Sequence, residues 1–239
     1  MIKQTQIRPN SVVNIVIHGI GPARRQLDPG EDQAWISTEQ FERLLDSVAE
    51  RSDVRISFDD GNSSDVDIAL PRLVERGLGA EFFLLAGLLG APGRLDRAGV
   101  AALLDAGMGI GSHGWSHCDW RRIHETQARE ELVDAPRLLG EVTGRPVSRV
   151  AIPFGSYDRH VLSLLREAGV TRAYTSDGGR VRSDAWLQAR NSVRRDMDDT
   201  WIAWVLDPNT SLSQLARATA VRGIKRLRGR SRLTAGGQA

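Results

Sequence analysis

The chain has 239 residues, a formal net charge of +2, 41% hydrophobic residues and 26% charged residues, proportions ordinary for a soluble globular protein. Its one cysteine, Cys118, excludes an intrachain disulfide, so the fold has to rest on its core. The apolar run 12–17 is too short for a signal-peptide core or a membrane span, and the expected location is the cytoplasm.

In chain order, residues 11–17 read as a first strand that ends at His18-Gly19, and 21–30, with Pro22 and Pro29, as a loop. Ser37-Thr38-Glu39-Gln40 opens a helix in capping-box style, with Phe41, Leu44, Leu45 and Val48 as its apolar stripe. Residues 54–58 mix β-branched, aromatic and polar side chains in short alternation and read as a strand. Two carboxylates, Asp59 and Asp60, stand at its end, followed by the turn signal Gly61-Asn62. Residues 65–76 are helical in period, although Pro71 predicts a kink or a late start. An apolar strand over 80–86 comes next, then a helix from its cap Asp96 to Ala106, then a strand over 108–112. Residues 125–142 are a helix with a break at Pro136, and 147–152 are a strand. A helix over 158–168 and a strand over 171–175 complete the clear pattern. Beyond Gly179 the signal weakens to a strand at 186–193 and a helix from Ser211.

Three of these helices end in an acidic residue, one further residue and glycine (Gly77, Gly107, Gly169), with a strand immediately after. C-cap glycines feeding short connections predict alternating β and α units and a parallel sheet. The number of units suits a closed or nearly closed barrel, with an open doubly wound sheet as the alternative. Residues 1–207 are read as this single body. Residues 208–239 contain no Asp or Glu and seven basic residues, whose removal takes the formal charge from +2 to −5. This basic tail is expected to be partly helical or disordered; anionic lipid at the inner face of the membrane is one expected partner and nucleic acid is not.

His113 and His117 follow a strand and are four residues apart, so a helical turn there would put both imidazoles on one face. With one carboxylate of the Asp59–Asp60 pair they make a facial triad that can grip one metal ion and leave positions open for water and substrate. The remaining Asp is then available as a base. The same donor set suits iron(II) in a non-haem oxygenase, which is the rival reading from spacing alone.

Ser-Phe-Asp-Asp-Gly (57–61), Ser-His-Gly-Trp-Ser-His (112–117) and Ile-Pro-Phe-Gly (152–155) occur in this order. Together they resemble the first three signature motifs of the polysaccharide deacetylase family, carbohydrate esterase family 4, over residues 54–176. The resemblance implies a distorted (β/α) barrel and a divalent metal, usually zinc and in some members cobalt or nickel. It also implies hydrolysis of N-acetyl groups on an acetylated glycan. Carried across by motif, Asp60, His113 and His117 resemble the metal ligands, Asp59 the general base, and the backbone N–H of Phe154 an oxyanion donor. Two positions depart from the pattern. The arginine that usually opens the third motif is replaced by Ala151, which makes a non-catalytic glycan-binding relative a further alternative; Arg190 is the candidate to supply the guanidinium. The family's late acid-bearing histidine is also missing, since no histidine follows His160. His18 takes its place as the candidate acid, in an order similar to that of circularly permuted, exopolysaccharide-associated relatives. Trp115, Trp186 and Tyr157 are the candidate sugar-binding side chains.

Overall fold

The computed structural model describes residues 10–207 and 223–225. The first strand, β1 (Ser11–Ile17), is followed by two short strands, β2 (Gly19–Ile20) and β3 (Trp35–Ile36), which pair in a small sheet of their own. Helix α1 (Thr38–Val48) starts where Ser37 Oγ accepts the Gln40 N–H at 3.1 Å, and it buries Phe41, Leu44, Leu45 and Val48. Then come β4 (Val54–Asp59), α2 (Leu70–Glu75), β5 (Ala80–Leu84), α3 (Arg97–Asp105), β6 (Gly109–Ser112), α4 (Glu125–Arg129) and α5 (Ala135–Thr143). The chain continues through β7 (Arg149–Ala151), α6 (Arg159–Glu167), β8 (Arg172–Thr175), β9 (Val181–Arg182), β10 (Leu187–Ser192) and α7 (Asp199–Leu206).

Seven strands pair in parallel in the order β10-β8-β7-β6-β5-β4-β1, and pairing of β1 with β10 closes the ring. The closing pairs Asn14–Arg190, Ile15–Asn191 and Val16–Ser192 decide for a barrel over an open sheet. Strand β9 runs antiparallel to the start of β1.

The glycines predicted to end helices do so by one device. Gly77, Gly107 and Gly169 all have positive φ. The next residue in each case, Leu78, Met108 or Val170, donates its N–H back to Leu73, Leu103 or Leu165 at 2.9–3.0 Å, which is the Schellman closure. The two internal prolines are absorbed by another device. A π-turn, Asp65–Ala69 or Glu130–Asp134, precedes the α-helix, and Pro71 or Pro136 falls in the first turn after it. Proline has no N–H to donate and its ring crowds the carbonyl four residues back. The wider turn relieves both problems without ending the helical run.

The core lies between the barrel wall and the helices. Val13, Ile15, Ile17, Ile56, Phe58, Phe82, Leu84 and Ile110 point outward into it, against α1, α2 and α3 residues such as Phe41, Leu73 and Leu103. Alternate residues on the same strands point inward, because side chains alternate across a strand. The inward set is largely polar: Asn14 donates to Gln188 Oε1 at 3.0 Å, and Ser57 donates to the Ile15 carbonyl at 2.9 Å. Among the described residues no helix is long and apolar enough to cross a membrane. The reading of 208–239 as a basic tail lies outside the described residues except at 223–225.

Candidate active site

The site is built at the C-terminal ends of the strands. Asp59 is the last residue of β4, and Arg190 of β10 enters from across the closing seam. Its guanidinium makes two parallel bonds to Asp59, Nη1 to Oδ1 and Nη2 to Oδ2, both at 2.7 Å. The pair is almost solvent-free, with 2% and 3% side-chain exposure. Arg190 also lies 5.2 Å from the Phe83 ring and 5.8 Å from the Tyr174 ring. Those two rings form a small apolar cluster with Ala151. The guanidinium that is missing at Ala151 is thus supplied to the same carboxylate from β10. Burial on its own would raise the Asp59 carboxyl, but the charge of Arg190, with His113 nearby, holds it well below the usual carboxylate range. Asp59 is an acceptor that stays ionised.

Asp60 takes the next position with φ of 77°. Its Oδ1 is buried and has no hydrogen-bond partner. It lies 3.5 Å from His113 Nε2 and 3.6 Å from His117 Nε2. Two donor atoms each about 2.1 Å from one ion can be no more than about 4.2 Å apart, so these separations suit a shared cation. His113 leaves β6 directly, and its Nδ1–H donates to the Ala151 carbonyl at 2.9 Å, which turns Nε2 and its lone pair toward Asp60. Burial lowers the His117 pKa, favouring the neutral imidazole that a metal needs. Asp60, His113 and His117 are the one group of three candidate metal-binding side chains found among the described residues. The orphaned oxygen, the aimed nitrogen and the neutral histidine all fit a divalent ion.

The two histidines meet for a different reason from the one predicted. Residues 113–119 are not helical; Gly114 and His117 turn the chain at φ of 88° and 58°. Asp60, His117 and Phe154 are three of the four non-glycine residues with positive φ among those described. Backbone of this kind costs about 1–3 kcal/mol per residue and persists only where its surroundings enforce it. Around His117 the enforcement comes from Glu131, in the π-turn before α5. Its carboxylate accepts from Trp115 N–H at 2.7 Å, Ser116 N–H at 3.0 Å, Ser116 Oγ at 2.6 Å and Trp120 Nε1 at 3.1 Å. A Cβ at Gly114 would collide with it. Sequence reading missed Glu131, because nothing in its local pattern separates it from the solvent-facing acids Glu125 and Glu130 on the same helical run. Cys118 is pushed up to about 11 by burial and its bond to Glu131, so it remains a thiol.

His18 follows β1 directly. The β1–β4 register runs to Ile17–Phe58, and one further step sets His18 beside Asp59. Its charge, when protonated, reaches both Asp59 and Asp60, and its buried Nδ1 has no hydrogen-bond partner. Phe154 sits in a turn over the metal-binding side, 62% exposed, with its ring 4.4 Å from that of His117.

The three candidate sugar-binding side chains do not come together. Trp186 precedes β10 and is therefore at the opposite, N-terminal mouth of the barrel, where its Nε1–H bonds the Val170 carbonyl at 2.8 Å and Arg166 covers its ring. That position removes it from the site, which corrects the expectation. Tyr157 is fully buried and its hydroxyl donates to Asp177 at 2.7 Å, so it acts as an internal strut and not as a sugar platform. Trp115 alone stays in the site loop, half-buried against the core.

Comparison with known proteins agrees with this geometry. A family model described as polysaccharide deacetylase matches residues 46–173. The protein YxkH of Bacillus subtilis (strain 168), named for polysaccharide deacetylase similarity, is 24% identical over 141 residues, 59% of this chain and 50% of that one. The chain thus spans about half the length of this curated relative. Among solved structures, BA0330 from Bacillus anthracis superposes with a TM-score of 0.73 at 20% identity, covering 82% of this chain and 69% of that one. IcaB from Ammonifex degensii superposes with a TM-score of 0.68 at 21% identity, covering 83% and 98%. At such identities the structural matches speak for the fold alone.

Proposed function

We propose a function from one premise: the chain belongs to the polysaccharide deacetylase family. On this reading it is a metal-dependent hydrolase that removes acetyl groups, in the first place N-acetyl groups, from a polysaccharide or oligosaccharide, and its place is in exopolysaccharide synthesis. The observation that carries the reading is the division of labour between adjacent carboxylates. Asp59 is locked and ionised by Arg190, while Asp60 keeps a buried oxygen unpaired between two imidazoles. A non-haem oxygenase has no use for a second carboxylate tuned in this way, and a mere binding module has no use for either.

Asp60, His113 and His117 would hold the cation, which when bound supplies Lewis acidity toward the acetyl carbonyl and toward water. The rest of the chemistry belongs to the chain. Asp59 accepts the proton of the attacking water, and Arg190 keeps its carboxylate oriented and charged. The Phe154 N–H donates to the oxyanion as the carbonyl carbon becomes tetrahedral. His18, on the far side of Asp59 from β5, protonates the departing amine so that the C–N bond can break. Acetate and the free amino sugar are the products.

The direct test is mass-resolved loss of acetyl from a panel of N-acetylated and O-acetylated glycans. Release from an N-acetylated member that stops on chelation and returns with a divalent metal is expected; full activity after metal removal would refute the proposal. In the same assay His18→Ala should lower turnover by roughly two to four orders of magnitude, the usual worth of a positioned acid. Its metal content should match wild type, and near-normal turnover would remove His18 from the mechanism.

A further inference from the structure

The basic C-terminal stretch has no task in the chemistry above, yet one of its residues is held firmly at the barrel rim. Lys225 Nζ lies 2.8 Å from the Gly155 carbonyl oxygen and 2.7 Å from Asp177 Oδ1. It also stands 5.3 Å from the centre of the Tyr157 ring. Tyr157 in turn gives its hydroxyl proton to the second oxygen of Asp177. The Lys225 side chain is 18% exposed and that of Asp177 is fully buried. An ammonium group is costly to dehydrate, and this one has exchanged water for a carboxylate, a backbone carbonyl and an aromatic face.

The partners lead straight to the site. Gly155 is the residue after Phe154, and the two share positive φ, 57° and 56°. The turn they form, Pro153–Gly155, is closed by two local backbone bonds, Gly155 N–H to Ile152 O at 2.9 Å and Ser156 N–H to Pro153 O at 3.1 Å. The Gly155 carbonyl oxygen and the Asp177 carboxylate are both acceptors and both meet Nζ. Without the cation they would repel each other, and the Gly155–Ser156 peptide would lose the tie that holds its carbonyl beside Asp177.

We propose that Lys225 is a positioning residue that clamps the Pro153–Gly155 turn to Asp177, so that the Phe154 N–H stays aimed at the reacting acyl group. The inference rests on the deacetylase reading above. The clamp acts on the transition state and not on the glycan, so its loss should fall on kcat and leave KM largely unchanged.

The full chain, Lys225→Met and Lys225→Arg serve as the test, with kcat, KM and metal content measured on the glycan that the panel identifies. Amide hydrogen exchange is followed in the peptide covering 153–157. Lys225→Met is expected to lower kcat by about tenfold to a hundredfold, the scale of a small misplacement at a reacting centre. KM and metal content should hold, exchange in the turn should quicken, and Lys225→Arg should restore both kcat and protection. Wild-type kcat in the Met variant overturns the proposal, whatever its stability. Unchanged exchange in the turn overturns it as well. If the wild-type chain releases acetate from no glycan, the deacetylase reading fails, and the exchange data still decide whether Lys225 holds the turn.

Discussion

Arg190→Met is expected to cost about 3–5 kcal/mol of folding stability and most of the turnover, because it leaves the Asp59 charge buried without a partner. Methionine fills similar volume beside Phe83 and Tyr174, so the loss reads the charge and not a cavity. The pH dependence carries a sign that a packing defect would not have. In the wild-type chain the folded Asp59 pKa is lowered by Arg190 against the effect of burial. Its contribution to stability is therefore fully present above the ordinary value of 3.8 and is lost as pH falls through the lowered folded value. In the variant, burial is no longer offset by the guanidinium and raises the folded pKa. Stability is then retained below the ordinary value and lost as pH rises toward the raised one. Denaturation of the metal-free proteins at pH 4 and pH 7 should show a wider gap at pH 7. A gap independent of pH would mean that the two side chains are not linked as described.

Asp59→Asn should separate the base from the ligands. The amide keeps the shape of the side chain but is no proton acceptor, so turnover is expected to fall by at least about two to four orders of magnitude. Bound metal should stay at the wild-type level, since Asp60, His113 and His117 are unaltered. Stability should also fall, because Arg190 now lacks its counter-charge. Metal analysis alongside initial rates checks this. Loss of metal with Asp60 intact would exchange the roles of the two carboxylates.

Much of the barrel could be read from the chain because its local signals agree with its global arrangement. The three Glu/Asp-x-Gly helix ends are Schellman closures whatever they pack against. The apolar faces of β1, β4 and β5 announce themselves through Ile15, Ile56, Phe82 and their neighbours. The signal weakened where a strand turns polar residues inward, although a strand at 186–193 was still legible. Strand β10 reads Leu-Gln-Ala-Arg-Asn-Ser, and its buried Gln188 and Arg190 find their side-chain partners in Asn14, Ser57 and Asp59, more than a hundred residues earlier. Helix α7 was not anticipated because its eight residues carry too little periodic pattern.

The sequence by itself determined the alternation of strands and helices and the placing of paired carboxylates and paired histidines at strand ends. These depend on neighbours within a few positions, through capping, turn chemistry and side-chain alternation. Only the tertiary structure decided which Asp is paired, because that depends on closure of the ring by β1 and β10. The same holds for Glu131, which bends the histidine loop from another helix, for Trp186, which the parallel sheet carries to the far mouth, and for Lys225, which reaches a turn 70 residues away. Buried charges choose their partners by energy in a dry interior, and that interior exists only once distant strands have met.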